Sequence, residues 1–207
     1  MTGYGCIRLT CPSIPYINNG KTTCDFDATE VILGFFNRHG RSQQVMASDI
    51  KALPQETFSQ FNRLDKALID ASSIIYAEKA DFLELLASSV QLFSIPEILA
   101  ETGPVTGRIK ALACKEASSS NDEKLVSCAL HYELPVISED KKILAAMKRA
   151  RRPFFNALMM LNFLLYRQKI QDAQYIRYHR SLKKFARYSE DIWQYGSQIH
   201  AAIKALT

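Results

Sequence analysis

The sequence has no apolar run long enough to cross a bilayer. Its most apolar stretch, Phe154 to Tyr166, is thirteen residues interrupted by Asn156 and Asn162, against the roughly 20 that a spanning helix needs. It reads as a buried helix, and no membrane partner is expected. Met1 to Thr10 carries Arg8 but neither an apolar run nor a small-residue cleavage site, so no secretory or transit segment is expected and the expected location is cytoplasmic. Cysteine is sparse: Cys6, Cys11, Cys24, Cys114 and Cys128 are odd in number and irregularly spaced, which fits free thiols in a reducing compartment better than a disulfide framework. The first three of them lack a matching fourth ligand for zinc. The four histidines, His39, His131, His179 and His200, share no ligand spacing, so HExxH zinc chemistry and nucleophilic triads find no support. No phosphate-binding glycine loop is present either. Gly34 to Ser42 has its glycines one residue too far apart, with Arg41 where lysine is required.

What is there is a globular composition. Hydrophobic residues make up 47% and charged residues 23% of 207, enough for one sizeable core, or a core with a small appendage. Charge is divided along the chain: residues 141 to 207 hold 14 Lys and Arg against 3 Asp and Glu, a net of +11, while residues 1 to 140 carry a net of −6. A positive field downstream of an acidic half suggests a polyanionic partner, nucleic acid before membrane.

Residues 1 to 25 read as irregular. Asp27 or Thr29 is positioned to cap a helix through Phe36, and a second helical stretch is expected between Ser48 and Phe61, interrupted at Pro54. From Lys66 onward strand-like and helix-like segments alternate, the pattern of an α/β unit with a mostly parallel sheet. Ala67 to Ile75 reads as a strand that reaches Asp70 and passes into Ala71, Ser72 and Ser73; a helix from about Glu78 to Ala87 follows. Val90 to Ile95 is the next strand, and Pro96 opens a helix that Gly103 closes. Arg108 to Lys115 has helical composition. A helix is expected from Asn121 to about His131, a strand at Pro135 to Ser138, and helices over Arg152–Gln168, Asp172–Tyr188 and Glu190–Leu206; Arg149 to Phe155 offers at best a poor, proline-broken strand, so that a sheet ending at four strands is the alternative to five.

The acids follow this pattern. Asp70 lies in the first strand segment, Glu101 in the helix after the second strand, Asp140 directly after the Pro135 to Ser138 segment and Glu139, and Asp122 at a helix N-terminus. In open parallel sheets ligands bind at the C-terminal edge of the strands. Carboxylates gathered there repel one another unless a divalent cation offsets their charge, and an oxygen-only ligand set suits Mg²⁺ or Mn²⁺. Glu97 rivals Glu101, because residues four apart share a helix face.

At these residues the chain resembles the PIN-domain family of nucleases. The matching pieces are Leu68-Ile-Asp-Ala-Ser-Ser-Ile-Ile-Tyr76, Ile95-Pro-Glu-Ile-Leu-Ala-Glu101, Asn121-Asp-Glu-Lys-Leu-Val-Ser-Cys-Ala129 and Leu134-Pro-Val-Ile-Ser-Glu-Asp140. The resemblance implies a three-layer α/β sandwich with a mostly parallel central sheet of four or five strands over residues 67 to 150. An N-terminal extension, 1 to 66, and basic C-terminal helices, 151 to 207, would flank it. It also implies a metal-dependent endoribonuclease with Asp70, Glu101, Asp122 and Asp140 as catalytic and Mg²⁺- or Mn²⁺-binding residues, Glu101 being preferred to Glu97 on the family's spacing. Ser72 and Ser138 are candidates to hydrogen-bond the carboxylates or a metal-bound water, with local turn bonding as the structural alternative. Lys141, Lys142, Arg177, Arg180, Lys183 and Lys184 are candidates to bind RNA, and Tyr175, Tyr178, Tyr188 and Trp193 to stack bases, although core packing accounts for most of these aromatics. A homodimer and an antitoxin-type protein partner are further expectations from the family. The competing reading is a non-catalytic PIN-like module that binds RNA or protein.

Overall fold

A computed structural model describes residues 47–103, 107–114 and 120–206, with side chains from residue 54 onward. The helix expected before Phe36, the Gly34 to Ser42 segment and the first three cysteines lie outside the described residues. The fold is α/β, with five strands in one all-parallel sheet of order β3-β2-β1-β4-β5. In chain order the elements begin with α1 (Ala47–Asn62), β1 (Lys66–Ile69), α2 (Ala71–Lys79), α3 (Leu83–Ser89), β2 (Gln91–Ser94), α4 (Pro96–Thr102) and β3 (Lys110–Ala111). They continue with α5 (Asn121–His131), β4 (Val136–Ile137), α6 (Lys141–Arg149), β5 (Phe154–Phe155), α7 (Ala157–Tyr166), α8 (Asp172–Lys183) and α9 (Glu190–Lys204).

Strands β1 and β4 are the centre of the sheet, with Leu68 opposite Val136 and Ile69 opposite Ile137. All four of these side chains are fully buried, as expected of parallel strands covered on both faces. The chain winds outward from β1 to β3, then returns to β4 beside β1. Right-handed crossovers therefore put α2 and α3 over one face and α5 and α6 over the other. The reversal of direction falls between β1 and β4, and in open parallel sheets a crevice lies beyond the C-terminal ends of such a pair.

Several elements differ from the sequence expectation in extent. The first strand stops at Ile69 because Asp70 caps α2 with its side chain on the Ala71 N–H, so Ala71 to Lys79 is helix rather than strand. A break at Ala80 to Phe82, with Asp81 at φ 67°, separates α2 from α3 where one helix was expected. Residues 110 and 111, expected to be helical, form the edge strand β3 beside β2. Pairing with an existing strand outweighs helix propensity there, since so short a segment has little propensity to sum. Phe154 and Phe155 do pair with β4, despite Pro153; an edge strand tolerates proline at its start. Helix α1 runs through Pro54 without interruption.

Helix α7 is the interior of the C-terminal half. Every residue from Ala157 to Leu165 is buried, the mark of a helix surrounded on all sides. Asn156 caps it through the Met159 N–H at 2.9 Å. Helices α8 and α9 pack against it, and α1 closes over it: Phe61 meets Phe155 and Phe163, and Phe58 stacks on Tyr166 at 4.9 Å. The Thr57 hydroxyl joins that of Tyr195 at 2.7 Å in the same interior. Cys114 and Cys128 are joined as a disulfide, which corrects the expectation of free thiols for this pair. Their spacing carries no recognisable pattern; the pairing arises because the chain leaving β3 runs against α5. Among the described residues no helix is long and apolar enough to cross a membrane.

Candidate functional site

Asp70 and Asp140 both stand at the β1/β4 crevice, each capping the helix that follows its strand. The Asp70 backbone still belongs to the sheet, its N–H donating to Ile137 O at 2.9 Å. Its side chain is buried, at 6% exposure. Oδ1 accepts from the Ala71 N–H at 2.7 Å, and Oδ2 accepts from the hydroxyls of Ser72 and Ser138. Asp140 Oδ1 accepts from the Lys142 and Ile143 N–H groups at 2.6 and 3.2 Å.

The two serines connect these acids. Ser138 Oγ accepts from the Asp140 N–H at 3.0 Å while donating to Asp70 at 3.1 Å. Ser72 Oγ accepts from the Glu139 N–H at 3.3 Å while donating to the same Asp70 oxygen. Asp70 is thus fixed from both strand ends, and Ser72 and Ser138 hydrogen-bond a carboxylate, one of the roles considered for them.

Asp122 lies on the first turn of α5, whose N-cap Ser120 accepts from the Glu123 N–H. Its carboxyl is held above the ordinary aspartate range, first by partial desolvation and then by the charges of Asp140, Asp70 and Glu101, with Lys142 acting in the opposite direction. The four acids therefore share one electrostatic field, together with Lys142. Glu101 accepts from Asn121 Nδ2 at 2.6 Å, which ties the end of α4 to the start of α5. Glu97, one turn earlier, pairs instead with Lys124 at 2.8 Å, and this hydrogen bond holds its carboxyl below the ordinary glutamate range. The α4–α5 contact thus separates the two glutamates: Glu97 is neutralised by a lysine, while Glu101 adds its charge to Asp122. As the side chains stand, no three of the described His, Cys, Asp and Glu residues form a group that could hold a metal ion.

Glu139 was not anticipated. Burial pushes its carboxyl above the ordinary glutamate range, against the opposing hydrogen bonds. Oε1 accepts from the Ala157 N–H at 2.7 Å and from Ser73 Oγ at 3.0 Å. Oε2 and the Tyr188 hydroxyl, neither of which meets hydrogen-bond geometry with any group, are near enough to shift each other's proton affinity. Glu139 thereby links β4, α2, the start of α7 and the segment after α8. The sequence shows two acids after β4 and no signal of which one turns inward.

Of the candidate RNA-binding residues, Lys141 and Lys142 are exposed on the first turn of α6, and Arg177, Arg180, Lys183 and Lys184 are exposed along α8 and its C-cap. Lys183 lies 5.8 Å from the centre of the Trp193 ring and is directed toward α9. Tyr175 and Tyr178 are buried, and Tyr188 and Trp193 pack on each other at 5.1 Å. Core packing accounts for all four aromatics.

No family model matches the chain, and no curated protein or solved structure is significantly similar to it.

Proposed function

We propose that this chain is a metal-dependent endoribonuclease of the PIN type, acting at the crevice beyond β1 and β4. The observation that carries the reading is that Asp70 and Asp140 end adjacent strands and are joined through Ser138; beside the desolvation of Asp122, their charges and that of Glu101 raise its proton affinity. Clustered like charge at a topological switch point is costly to a fold and is a recognised mark of a functional site. The donor set, all carboxylate oxygen, fits Mg²⁺ or Mn²⁺. Asp70 and Asp140 would hold the ion, with Glu101 and Asp122 completing the site. When bound, the ion supplies charge stabilisation at the phosphate and a more acidic water. The residues do the rest: Ser72 and Ser138 fix the Asp70 rotamer, the α6 N-terminus fixes Asp140, and Lys142 offers a cation beside the acids.

The second reading, a PIN-like module that binds without cutting, has one observation in its favour. Asp70 and Asp140 each spend oxygens on capping their own helices, which a purely structural role explains. A labelled single-stranded RNA incubated with Mn²⁺ or Mg²⁺ separates the two readings. Cutting that is metal-dependent and falls by more than about a hundredfold in both Asp70→Asn and Asp140→Asn supports the nuclease, since removing a group essential to the reaction typically costs at least that much. Binding of RNA by the folded parent with no cutting across several RNAs supports the module.

A further inference from the structure

Helix α8 presents one face on which every charged residue is a cation. Arg177, Arg180 and Lys184 recur at three- and four-residue spacing, so they line one side of the helix. With Ala173, Ile176 and Ser181 they border a shallow groove of about 330 Å³. Among the described residues, Arg180 and Lys184 have no acidic partner. Arg177 has one, Asp81 at 3.7 Å, with the two side chains 63% and 87% exposed; a pair that open to water is worth little and yields readily to a phosphate. Asp172, the one acid of the helix, is turned away: His200 and Lys204 on α9 bind it and hold its carboxyl below the ordinary aspartate range.

The course of α8 connects this face to the crevice. Tyr178 packs on Phe82 beyond the end of α2, and Ser181 Oγ donates to Lys79 O at 3.5 Å. Phe185 then packs on Tyr76, and Tyr188 reaches both Tyr76 and Glu139. The chain therefore climbs alongside α2, from its C-terminal end to its N-terminal end, where Asp70 stands. Exposed Arg187 continues the positive charge to the top of the climb.

We propose that a single-stranded RNA lies along this face, held by Arg177, Arg180 and Lys184, and reaches the acids at the end of α2. The inference rests on the nuclease reading for the chemistry at its end, but the binding itself does not. The nine residues of α2 span about 14 Å, at 1.5 Å per residue. At about 3.4 Å per stacked nucleotide, the face accommodates roughly four nucleotides on one side of the bond to be cut. Ile176, 45% exposed among the cations, offers apolar surface to a base.

The test uses the full chain, a labelled 12-nucleotide single-stranded RNA and no divalent metal, with binding followed by fluorescence anisotropy over a salt series. Neutralising Arg177, Arg180 and Lys184 to glutamine should lower the salt slope by about 2 and weaken binding about a hundredfold at 0.1 M salt, because each phosphate contact on a single strand contributes about 0.7 to the slope. A control protein with Arg149, Arg151 and Lys169 changed to glutamine loses the same charge from other exposed positions and should keep the parent's slope. An unchanged slope in the first variant, or an equal loss in the control, overturns the proposal, and metal-dependent cutting would then leave the nuclease reading standing. The expected slope change, with no RNA cutting once Mn²⁺ or Mg²⁺ is added to the same proteins, upholds the track and removes the nuclease. If the triple variant fails to fold, Lys184→Gln alone should lower the slope by about 0.7, and an unchanged slope in that protein overturns the proposal equally.

Discussion

Glu139 and Asp140 are consecutive acids with opposite environments. Asp140 caps a helix and faces the crevice; Glu139 turns inward, accepting from Ala157 and Ser73 with burial favouring its neutral form. Replacing Glu139 with glutamine keeps an acceptor for both donors and should cost less than about 1 kcal/mol. Glu139→Ala leaves the Ala157 N–H and Ser73 hydroxyl without a partner and should cost about 1 to 3 kcal/mol in urea unfolding. The pH dependence has a definite sign. A carboxyl whose folded value is raised contributes stability that is present below the ordinary glutamate value and lost as pH rises through the folded value. Parent stability should therefore decline with rising pH more steeply than that of Glu139→Gln, and parallel pH profiles for the two proteins would show that Glu139 is already ionised in the fold. The sequence made Asp70 conspicuous as an acid at the end of an apolar strand. It could not show the role of Glu139, because what distinguishes that residue is its contact with Ala157, eighteen positions away.

Elements with their own periodicity or caps were legible, and elements defined by their neighbours were not. Pro96 and Gly103 bracket α4 as expected, and the α5 start at Asn121 agrees as well. Strands β3 and β5 have two residues each, too few to show an alternation; they exist because β2 and β4 offer free edges. The packing of α9 on α7 is of the same kind. Gly196 is buried mid-helix, and a Cβ there would meet Leu158 Cδ2 at 2.6 Å and Cγ at 3.0 Å. Leu158 is fully buried and has little room to turn aside. Gly196→Ala gains up to about 1 kcal/mol of helix propensity but incurs about 1 to 3 kcal/mol of overpacking, so a net loss of stability is expected. The Gly196 carbonyl also accepts from buried Asn162 at 3.3 Å, a bond that any separation of the helices would stretch. The same substitution in a Leu158→Ala background should cost less than it does in the parent, as a double-mutant cycle would register. Additive losses would mean that the helices separate without regard to this contact.

Across the whole molecule, charge is sorted by region. The charges of Asp70, Asp140 and Glu101, from separate stretches of chain, all reach Asp122, while residues 141 to 207 carry a net +11. Such an arrangement is unfavourable at the crevice in the absence of a cation, and its cost has a direction. The raised proton affinity of Asp122 means that the metal-free fold loses stability as pH rises through its folded value, since desolvation first and the neighbouring carboxylates second disfavour the ionised form. A divalent ion should reverse this. At a concentration 100 times its dissociation constant it contributes about 2.7 kcal/mol, which for a chain of this size is a rise in Tm of about 5 to 11 °C. Binding must also displace any proton on Asp122, so the rise should be larger at pH 8 than at pH 5. Asp70→Asn and Asp140→Asn remove charge from the site and should remove most of the Mn²⁺-dependent rise, while Glu97→Gln, whose carboxylate pairs with Lys124, should leave it in place. A rise that persists unchanged in both aspartate variants would locate the ion elsewhere. A rise lost in both, and absent for the parent at low pH, would tie the ion to the carboxylates at the β1/β4 crevice independently of any assay for cutting.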